Sequence, residues 1–324
     1  MKALICRAFA PLDALTVEEV PAPVAGPDEV VVDVKAASVN YPDALIVQGK
    51  YQVRPELPFI PGAELAGIVR SVGERVTDLR AGMRVLGLPM RGAFAEAVAL
   101  PAATAVPLDP SLPFDTAAAV PMTYGTAYHA LCDRAQLQPR ETLLVLGAGG
   151  GIGTAAVELG KLMGAIVIGA ASSPEKLAAA KRCGADYTID YAREDLRERL
   201  RQITGGRGVD VVCDPVGGAY TEPALRSTAW GGRYLVVGFA AGEIPHPGLN
   251  LPLLKGSAIV GVFWGEFRRR DPERARSALE RLLDYARAQR IEPLITAKYP
   301  LSEAGRALAD VYGRRTAGKV VIEP

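Results

Sequence analysis

The stretch from Leu144 to Ala165, LVLGAGGGIGTAAVELGKLMGA, places five glycines among the seven positions from Gly147 to Gly153. An apolar run precedes the glycines, and apolar residues at helical spacing follow them. This order predicts a strand, a tight loop and a helix, an arrangement that lets an anion approach the amides at the start of the helix.

One reading frame of the loop fits the dinucleotide-binding fingerprint, with alanine in its first place: Ala148-x-Gly150-x-x-Gly153. We expect Ala148 to make the tight turn, Gly150 to let the backbone approach a pyrophosphate, and Gly153 to let the helix sit close to the strand. The amides of Gly151 and Ile152 at the start of the helix are expected to face the anion. The motif alone is weak, but the strand before it and the helix and strand after it favour a nucleotide site.

The end of the next apolar run, AIVIGAA, indicates which nucleotide is bound. An NAD site would carry an acidic residue about 20 positions beyond the loop, to bind the ribose 2′-hydroxyl. Ala171 stands there, followed by Ser172, Ser173 and Lys176. Hydroxyls and an ammonium favour a 2′-phosphate, although Ser173 is also an ordinary helix cap. The sequence therefore predicts NADPH in preference to NADH.

Composition excludes several classes of protein. The 37 Lys and Arg residues nearly balance the 36 Asp and Glu residues, so the net charge favours neither nucleic acid nor an anionic membrane. No apolar run approaches the ~18 residues of a membrane span, and Arg7 interrupts the N-terminal apolar stretch. We therefore expect a soluble cytoplasmic protein without membrane insertion. The widely spaced cysteines are interpreted as buried, reduced thiols.

The pattern of apolar residues changes near residue 121. Short alternating strands bounded by Gly and Pro fill the first part, whereas apolar strands and helical stretches alternate afterwards. The second pattern predicts an α/β fold with a doubly wound parallel sheet. A late helix is predicted with Asp271 as its N-cap and with Ala275, Leu279, Leu282 and Ala286 on one face.

Several motifs in order resemble the medium-chain dehydrogenase/reductase superfamily, and within it the NADPH:quinone oxidoreductase family. They are SVNYPDALIVQGKY, LPFIPGAELAGIV, GERV, MTYGTAYHAL and NLPLLKGSAIVGVFW. The resemblance implies a GroES-like β-rich domain at 1–120 completed by 299–324, and a Rossmann domain at 121–298. It also implies a homodimer formed through the edge strand AIVGVFW, which would otherwise be an aggregation hazard.

Zinc-dependent alcohol dehydrogenases of the superfamily have a cysteine where this chain has Asn40, and a histidine where it has Ala63. Their third ligand position falls in VPMTYG, which contains no cysteine. Asparagine and alanine do not replace thiolate and imidazole, so we expect no metal. His129 and His246 are expected to have structural or solvent-facing roles.

Without a Lewis acid, the expected substrates are small molecules that accept hydride readily, namely quinones or conjugated enones. The family motif implies that Asn40, Asp43 and Tyr51 frame the acceptor. Tyr51 alone has a plausible acid role, because an ordinary phenol is protonated at neutral pH. A loop tyrosine without a catalytic role is an equally good reading of it.

The resemblance implies further cofactor contacts. Thr126 would lie near the nicotinamide and Tyr191 near the 2′-phosphate, and Arg314 or its neighbour Arg315 would also reach that phosphate. The remaining positions follow two later strands: Val237, Gly238, Phe239, Phe263 and Trp264. For the last two, core packing is an equally good reading.

Three functions remain open from the sequence. An NADPH-dependent quinone reductase is the first choice. A 2-enoyl thioester reductase is the alternative enzyme, because that neighbouring family also has an Asn-x-x-Asp stretch followed by Gln-Gly-x-Tyr. A nucleotide-binding protein with little turnover is the third.

Overall fold

The computed structural model describes residues 1–324, apart from the side chain of Asp13. Its strands are β1 (Lys2–Ile5), β2 (Thr16–Glu19), β3 (Glu29–Val39), β4 (Leu65–Val72), β5 (Arg84–Gly87), β6 (Ala97–Pro101), β7 (Ala105–Pro107), β8 (Thr142–Leu146), β9 (Ile166–Ala171), β10 (Tyr187–Asp190), β11 (Val209–Asp214), β12 (Thr228–Val236), β13 (Ala258–Gly261), β14 (Ile295–Pro300) and β15 (Lys319–Glu323). Its α-helices are α1 (Tyr41–Val47), α2 (Phe114–Ala118), α3 (Thr123–Tyr128), α4 (Gly151–Leu162), α5 (Pro174–Arg182), α6 (Leu196–Ile203), α7 (Thr221–Arg226), α8 (Asn250–Lys255), α9 (Trp264–Arg270), α10 (Pro272–Arg287) and α11 (Ala304–Tyr312).

The chain divides into two compact units, Met1–Met122 with Leu279–Pro324 and Thr123–Ala278. The first unit contains a seven-stranded sheet in the order β14-β15-β3-β4-β5-β7, with β6 paired to β3. Its core is built from the inward faces of these strands together with α1 and α11, and includes the fully buried Val32, Leu65 and Leu308. This is the GroES-like, β-rich domain that the sequence predicts.

The second unit contains a six-stranded sheet in the order β10-β9-β8-β11-β12-β13, in which every neighbouring pair is parallel. Strand β8 is the first strand of this sheet. Strands β9 and β10 are added on one side of it, and β11, β12 and β13 are added on the other side. Parallel strands buried on both faces read as continuous apolar runs, which is why the sequence predicts them correctly. The order is that of a Rossmann fold. Ligands of such sheets bind at the carboxyl ends of the strands, at the point where successive strands change from one side of the first strand to the other.

The second unit ends earlier than residue 298, the position expected from the sequence. Strand β14 pairs in parallel with β15, so residues 295–298 already belong to the sheet of the first unit. The boundary lies at Leu279, inside α10. The boundary expected from the sequence lies too late, because the apolar face of an amphipathic helix does not show against which unit the helix packs.

Helix α10 itself has the predicted cap and face. The Asp271 carboxylate accepts a hydrogen bond from the amide of Arg274, and the four apolar residues predicted on one face are all buried. The prediction for the cysteines is wrong in part, because Cys132 is exposed and Cys183 is half-buried. Among the described residues, no helix is both long enough and apolar enough to cross a membrane.

Candidate active site

The glycine loop of the second unit has the geometry that the fingerprint demands. Gly147 has a φ of +60°, and the amide of Gly150 donates to its carbonyl at 2.9 Å, so Ala148 occupies a central position of a tight turn. A Cβ on Gly153 would lie 2.1 Å from the Gly147 oxygen, so only glycine lets α4 approach β8. A Cβ on Gly150 would meet nothing nearer than 3.5 Å. The space beside Gly150 at the start of α4, next to Gly151 and Ile152, is therefore open, and phosphate binding there remains a prediction.

The end of β9 provides hydroxyls and a lysine beside this loop. Ser172 is exposed, and the Ser173 hydroxyl caps α5 by accepting from the amide of Lys176 at 3.4 Å. A Cβ on Gly149 would lie within 2.6 Å of the Lys176 backbone and Cβ, so this lysine packs directly against the glycine loop. The tight packing explains why Gly149, the second glycine of the run, is required although the fingerprint does not include it.

Tyr191 follows β10 at the same edge of the sheet. Its amide donates to the Ala171 carbonyl at 3.1 Å, and its ring lies 4.1 Å from the ring of Tyr220. The structure thus places Ser172 and Tyr191 directly after two neighbouring strands and Lys176 in the first turn of α5. Their contact with a 2′-phosphate remains a prediction.

The carboxyl ends of β11 and β12 form the other side of this edge. The amides of Val237 and Gly238 both donate to the carbonyl of Asp214, and the Phe239 side chain is partly exposed. Asp214 is the last residue of β11, and its carboxylate holds the loop that follows. Sequence reasoning missed Asp214, although an acidic residue closing an apolar strand, as in VDVVCDP, was a visible signal.

Thr126, Phe263 and Trp264 differ in what they offer to a ligand. Thr126 is buried in α3. Trp264 is 3% exposed and stacks over Gly125, where a Cβ would come within 2.7 Å of the indole. Phe263 is 57% exposed. Core packing is therefore the better reading for Trp264, whereas Phe263 keeps a surface on which a cofactor contact remains a prediction.

The first unit contains a buried polar cluster built on Asn40. The Asn40 amide nitrogen donates to Glu64 Oε1 at 2.7 Å, and Lys319 Nζ donates to Asn40 Oδ1 at 2.8 Å and to Glu64 Oε1 at 3.1 Å. Glu64 Oε2 accepts from the amide of Met122 at 2.8 Å. The side-chain groups of Asn40 are thus engaged by protein atoms, an arrangement suited to holding the loop rather than to moving a proton.

Strand register explains why these distant residues meet. Asn40 follows β3 directly, Glu64 precedes β4, and Lys319 opens β15. Both β4 and β15 pair with the end of β3, with Leu65 opposite Ala37 and Val320 opposite Val39. Sequence reasoning missed Glu64 and Lys319, because they reach Asn40 by strand pairing across 24 and 279 residues, which leaves no local trace.

Asp43 and Tyr51 lie close to this cluster. Asp43 is 2% exposed, and its carboxylate accepts from the amide of Asn40 at 2.8 Å. Burial raises the pKa of Asp43 to about 7, helped by the negative charge of Glu64 and opposed by that Asn40 hydrogen bond and by Lys319. Burial, and then the charge of Asp43, also raise the pKa of the Tyr51 phenol. Tyr51 therefore keeps its proton more firmly than an ordinary tyrosine.

Of the remaining predicted residues, His129 is buried, whereas His246 and Arg314 are exposed. The Nδ1 of His129 lies 2.7 Å from Asp133, and its ring stacks on Phe267 at 4.2 Å. Arg314 belongs to the first unit and has a φ of +55°. Its contact with a cofactor phosphate remains a prediction. Within the described residues, no group of three or more His, Cys, Asp or Glu side chains is arranged to hold a metal ion.

Comparison with known proteins extends these findings. Residues 26–110 match the family described as the alcohol dehydrogenase GroES-like domain, and residues 151–284 match the family described as zinc-binding dehydrogenase. A quinone oxidoreductase-like protein 2 homolog of Nematostella vectensis is 40% identical over 92% of this chain and 82% of its own length.

Two solved structures have the same fold over the whole chain. The Escherichia coli quinone oxidoreductase, complexed with NADPH, has a TM-score of 0.94 and 29% identity, with full coverage of both chains. A probable oxidoreductase from Mycobacterium abscessus has a TM-score of 0.91 and 38% identity, and the match covers 100% of this chain and 99% of that one. The protein is thus an oxidoreductase of the nicotinamide-dependent type, and the chain belongs to the quinone oxidoreductase family of the medium-chain dehydrogenase/reductase superfamily.

Proposed function

We propose that the protein is an NADPH-dependent quinone reductase that transfers hydride without a metal ion. The observation that carries the proposal is the end of β9, where Ala171 stands in place of an acidic residue and Lys176 packs against Gly149 of the glycine loop. An NAD site needs a carboxylate there for the ribose 2′-hydroxyl. Two serine hydroxyls and an ammonium suit a 2′-phosphate instead.

The residues of the first unit do not fit a zinc ion. Asn40 and Ala63 offer neither thiolate nor imidazole, and the ammonium of Lys319 lies 2.8 Å from the Asn40 carbonyl oxygen. A dication bound there would be repelled by that ammonium and would lack the usual ligands. The proposed reaction therefore uses no metal-bound oxygen, although the family matched by residues 151–284 is described as zinc-binding.

The protein's part in the reaction is positioning. The glycine loop with the start of α4 would hold the pyrophosphate of NADPH, which would supply the hydride when bound. Quinones accept hydride readily, so holding the acceptor in line supplies most of the required rate. Asn40 fixes the loop that begins α1, and Tyr51 presents a protonated phenol near that loop.

The same phenol supports one alternative, a 2-enoyl thioester reductase. An enoyl thioester that receives hydride becomes an enolate and needs a proton, so a firmly protonated tyrosine would have a task there. A nucleotide-binding protein with little turnover is a further outcome of the same experiment.

The test is the oxidation of NADPH, followed by absorbance, with 9,10-phenanthrenequinone and with crotonyl-CoA as separate acceptors. Faster turnover of the quinone supports the proposal, and faster turnover of the thioester supports the alternative. Slow turnover of both, with NADPH bound, would identify a nucleotide-binding protein. A second series with NADH tests the choice of cofactor.

We also propose that the protein is a homodimer formed through β13, which has one neighbour, β12. Ile259 of this strand is 41% exposed, and Trp230 and Leu253 are 80% and 77% exposed on β12 and α8. An apolar edge strand with such surroundings is suited to pairing with a second copy. Ile259→Glu is expected to shift sedimentation equilibrium toward monomer. Ile166→Glu, at an isoleucine 42% exposed, is the matched control, and equal effects of both would contradict the proposed interface.

A further inference from the structure

Asp214 has an unusual environment for a buried carboxylate. It is 3% exposed and accepts hydrogen bonds from four neutral donors. Oδ1 accepts from the amides of Val216 at 2.7 Å and Gly217 at 2.8 Å. Oδ2 accepts from the hydroxyl of Tyr234 in a very short hydrogen bond and from that of Thr221 at 3.2 Å.

The charge of Asp214 is thus stabilised without a cation. Within the part of the chain that the structure describes, no salt bridge includes it. Burying a carboxylate is costly unless hydrogen bonds replace its water, and four donors do so. Tyr234 stays a donor, because burial and the neighbouring carboxylate raise its pKa far above the ordinary range.

The same residue ties two loops together at the carboxyl edge of the sheet. Its backbone carbonyl accepts from the amides of Val237 and Gly238 at 3.0 and 3.2 Å. The next two carbonyls, of Pro215 and Val216, accept from residues 240 and 241. The loop after β11 and the loop after β12 are therefore joined by backbone hydrogen bonds into one body, and Asp214 is the residue at which this body begins.

This body packs directly on the glycine loop. A Cβ on Gly147 would lie 2.7 Å from Val216 Cγ2, and a Cβ on Gly217 would lie 2.9 Å from the ring of Phe239. Gly217 also has a φ of +68°. A change in the loop after β11 therefore moves its neighbours on both sides.

We propose that Asp214 is a positioning residue for the nicotinamide half of the cofactor, acting through the loops after β11 and β12. The inference rests on the proposed NADPH-binding function. The strand order separates the two halves of the ligand, because β9 and β10 lie on one side of β8 and β11 and β12 on the other. Ser172, Lys176 and Tyr191 serve the adenosine side, whereas Asp214 shapes the opposite side.

The test compares two ligands, NADPH and its fragment adenosine 2′,5′-bisphosphate, by titration calorimetry on the full-length protein. The fragment has no nicotinamide. In Asp214→Asn, the side-chain nitrogen of the asparagine replaces one carboxylate oxygen and cannot accept hydrogen bonds from the donors around it. The loops therefore lose charge-assisted hydrogen bonds. We expect the Kd for NADPH to rise by ~10- to 100-fold. The Kd for the fragment is expected to change by less than about threefold.

Asp210→Asn is the matched control, because Asp210 lies on the same strand near its amino end, where it binds Arg207 and the amide of Thr142. It should leave both Kd values unchanged. Tyr234→Phe removes one of the four donors and keeps the ring, so it tests the inference if Asp214→Asn does not fold. It should weaken NADPH by about threefold to tenfold and the fragment not at all.

Equal weakening of both ligands by Asp214→Asn would overturn the inference. That result would show an effect on the whole site, for instance through Tyr220, whose ring contacts Tyr191. Unchanged binding of NADPH would overturn it as well. NADH is titrated in parallel. If the wild-type protein prefers NADH, the proposed cofactor fails, while the effect of Asp214→Asn on NADH still decides the role of Asp214. Binding of neither nucleotide would overturn both.

Discussion

Glu64 in the first unit and Asp214 in the second are both buried acidic residues of the candidate site, and they are held in different ways. Glu64 is 0% exposed and lies 3.1 Å from the ammonium of Lys319, itself 2% exposed. Asp214 is held by two amides and two hydroxyls. Glu64 combines one opposite charge with two neutral donors, the side-chain amide of Asn40 and the backbone amide of Met122, whereas Asp214 is held by four neutral donors and no cation.

The difference has a physical consequence. Removing the cation of a buried ion pair leaves an uncompensated charge, and no neighbouring group replaces it. Removing one of four dipolar donors leaves three. The first cluster is therefore expected to be essential for stability, and the second is expected to tolerate single changes while altering the loops that it supports.

Lys319→Met gives the largest expected effect, because Glu64 would stay buried without its partner. We expect a loss of about 3–5 kcal/mol in the free energy of unfolding, measured by urea denaturation. Lys298→Met is the control, because Lys298 on the neighbouring strand β14 is half exposed and pairs with Asp115 and Glu323. Its loss should stay within about 1 kcal/mol. The comparison breaks down if Lys319→Met is as mild as that control.

Lys176→Ala sharpens the comparison from the side of the second unit, where we propose that a lysine binds the cofactor. NADPH binding should weaken by ~10- to 100-fold, because its 2′-phosphate loses a charge-assisted partner worth about 1.5–3 kcal/mol. NADH binding and the urea midpoint should barely change. Titration calorimetry with both cofactors measures the split, and equal losses would exclude Lys176 as a phosphate ligand.

Asp43→Asn tests the third carboxylate, which has neither a direct cation nor four donors. Burial raises its pKa from the ordinary 3.8 to about 7, so the folded state binds this proton more tightly than the unfolded chain. Its contribution to stability is present below about pH 4 and is lost as the pH rises through 7.

The measurement is the difference in unfolding free energy between the wild type and Asp43→Asn at pH 5 and at pH 7.5. The wild type should lose about 2 kcal/mol relative to the variant over this interval. Parallel pH profiles of the two proteins would show that the carboxyl group does not titrate there. Glu64 and Lys319 face the same carboxyl group and are present in both proteins, so their titration cancels in the difference to first order.

The sequence predicts much of the second unit, because its signals are local. A glycine loop between an apolar strand and a helix has few structural solutions, and the role expected of Gly153 matches the structure, where a Cβ would lie 2.1 Å from the Gly147 oxygen. The role expected of Gly150 stays a prediction. The cluster around Asn40 was predicted only in part. Asn40 was expected among the residues that frame the acceptor, but its partners Glu64 and Lys319 reach it by strand pairing from other parts of the chain.

Asp214 lies between these cases. Its position at the end of a strand was visible, but four donors from three elements are a product of tertiary packing. Likewise, the continuation of the first unit back to Leu279 depends on which sheet β14 joins. Local pattern predicts that a strand forms, and only the partner strand decides the domain to which it belongs.

Tyr51→Phe carries the smallest expected effect and decides between the two enzyme readings. A quinone that receives hydride becomes a stable hydroquinone anion, which can collect its proton from water. The loss of the phenol should therefore change quinone turnover by less than about tenfold, as measured by NADPH oxidation. Tyr312→Phe in α11 is the control, since among the described residues its hydroxyl accepts one long hydrogen bond, at 3.5 Å from Lys50 Nζ.

The environment of Tyr51 makes the outcome informative. Burial and Asp43 raise the pKa of the phenol, so it is fully protonated at neutral pH but gives up its proton reluctantly. Such a group helps only a strongly basic intermediate, such as the enolate of a thioester. General acid catalysis is worth about 10² to 10⁴ in rate. A hundredfold loss of quinone turnover, with unchanged NADPH affinity and folding, would make Tyr51 a catalytic acid and favour the enoyl thioester reductase. A loss confined to crotonyl-CoA would leave quinones as the substrates that need positioning alone.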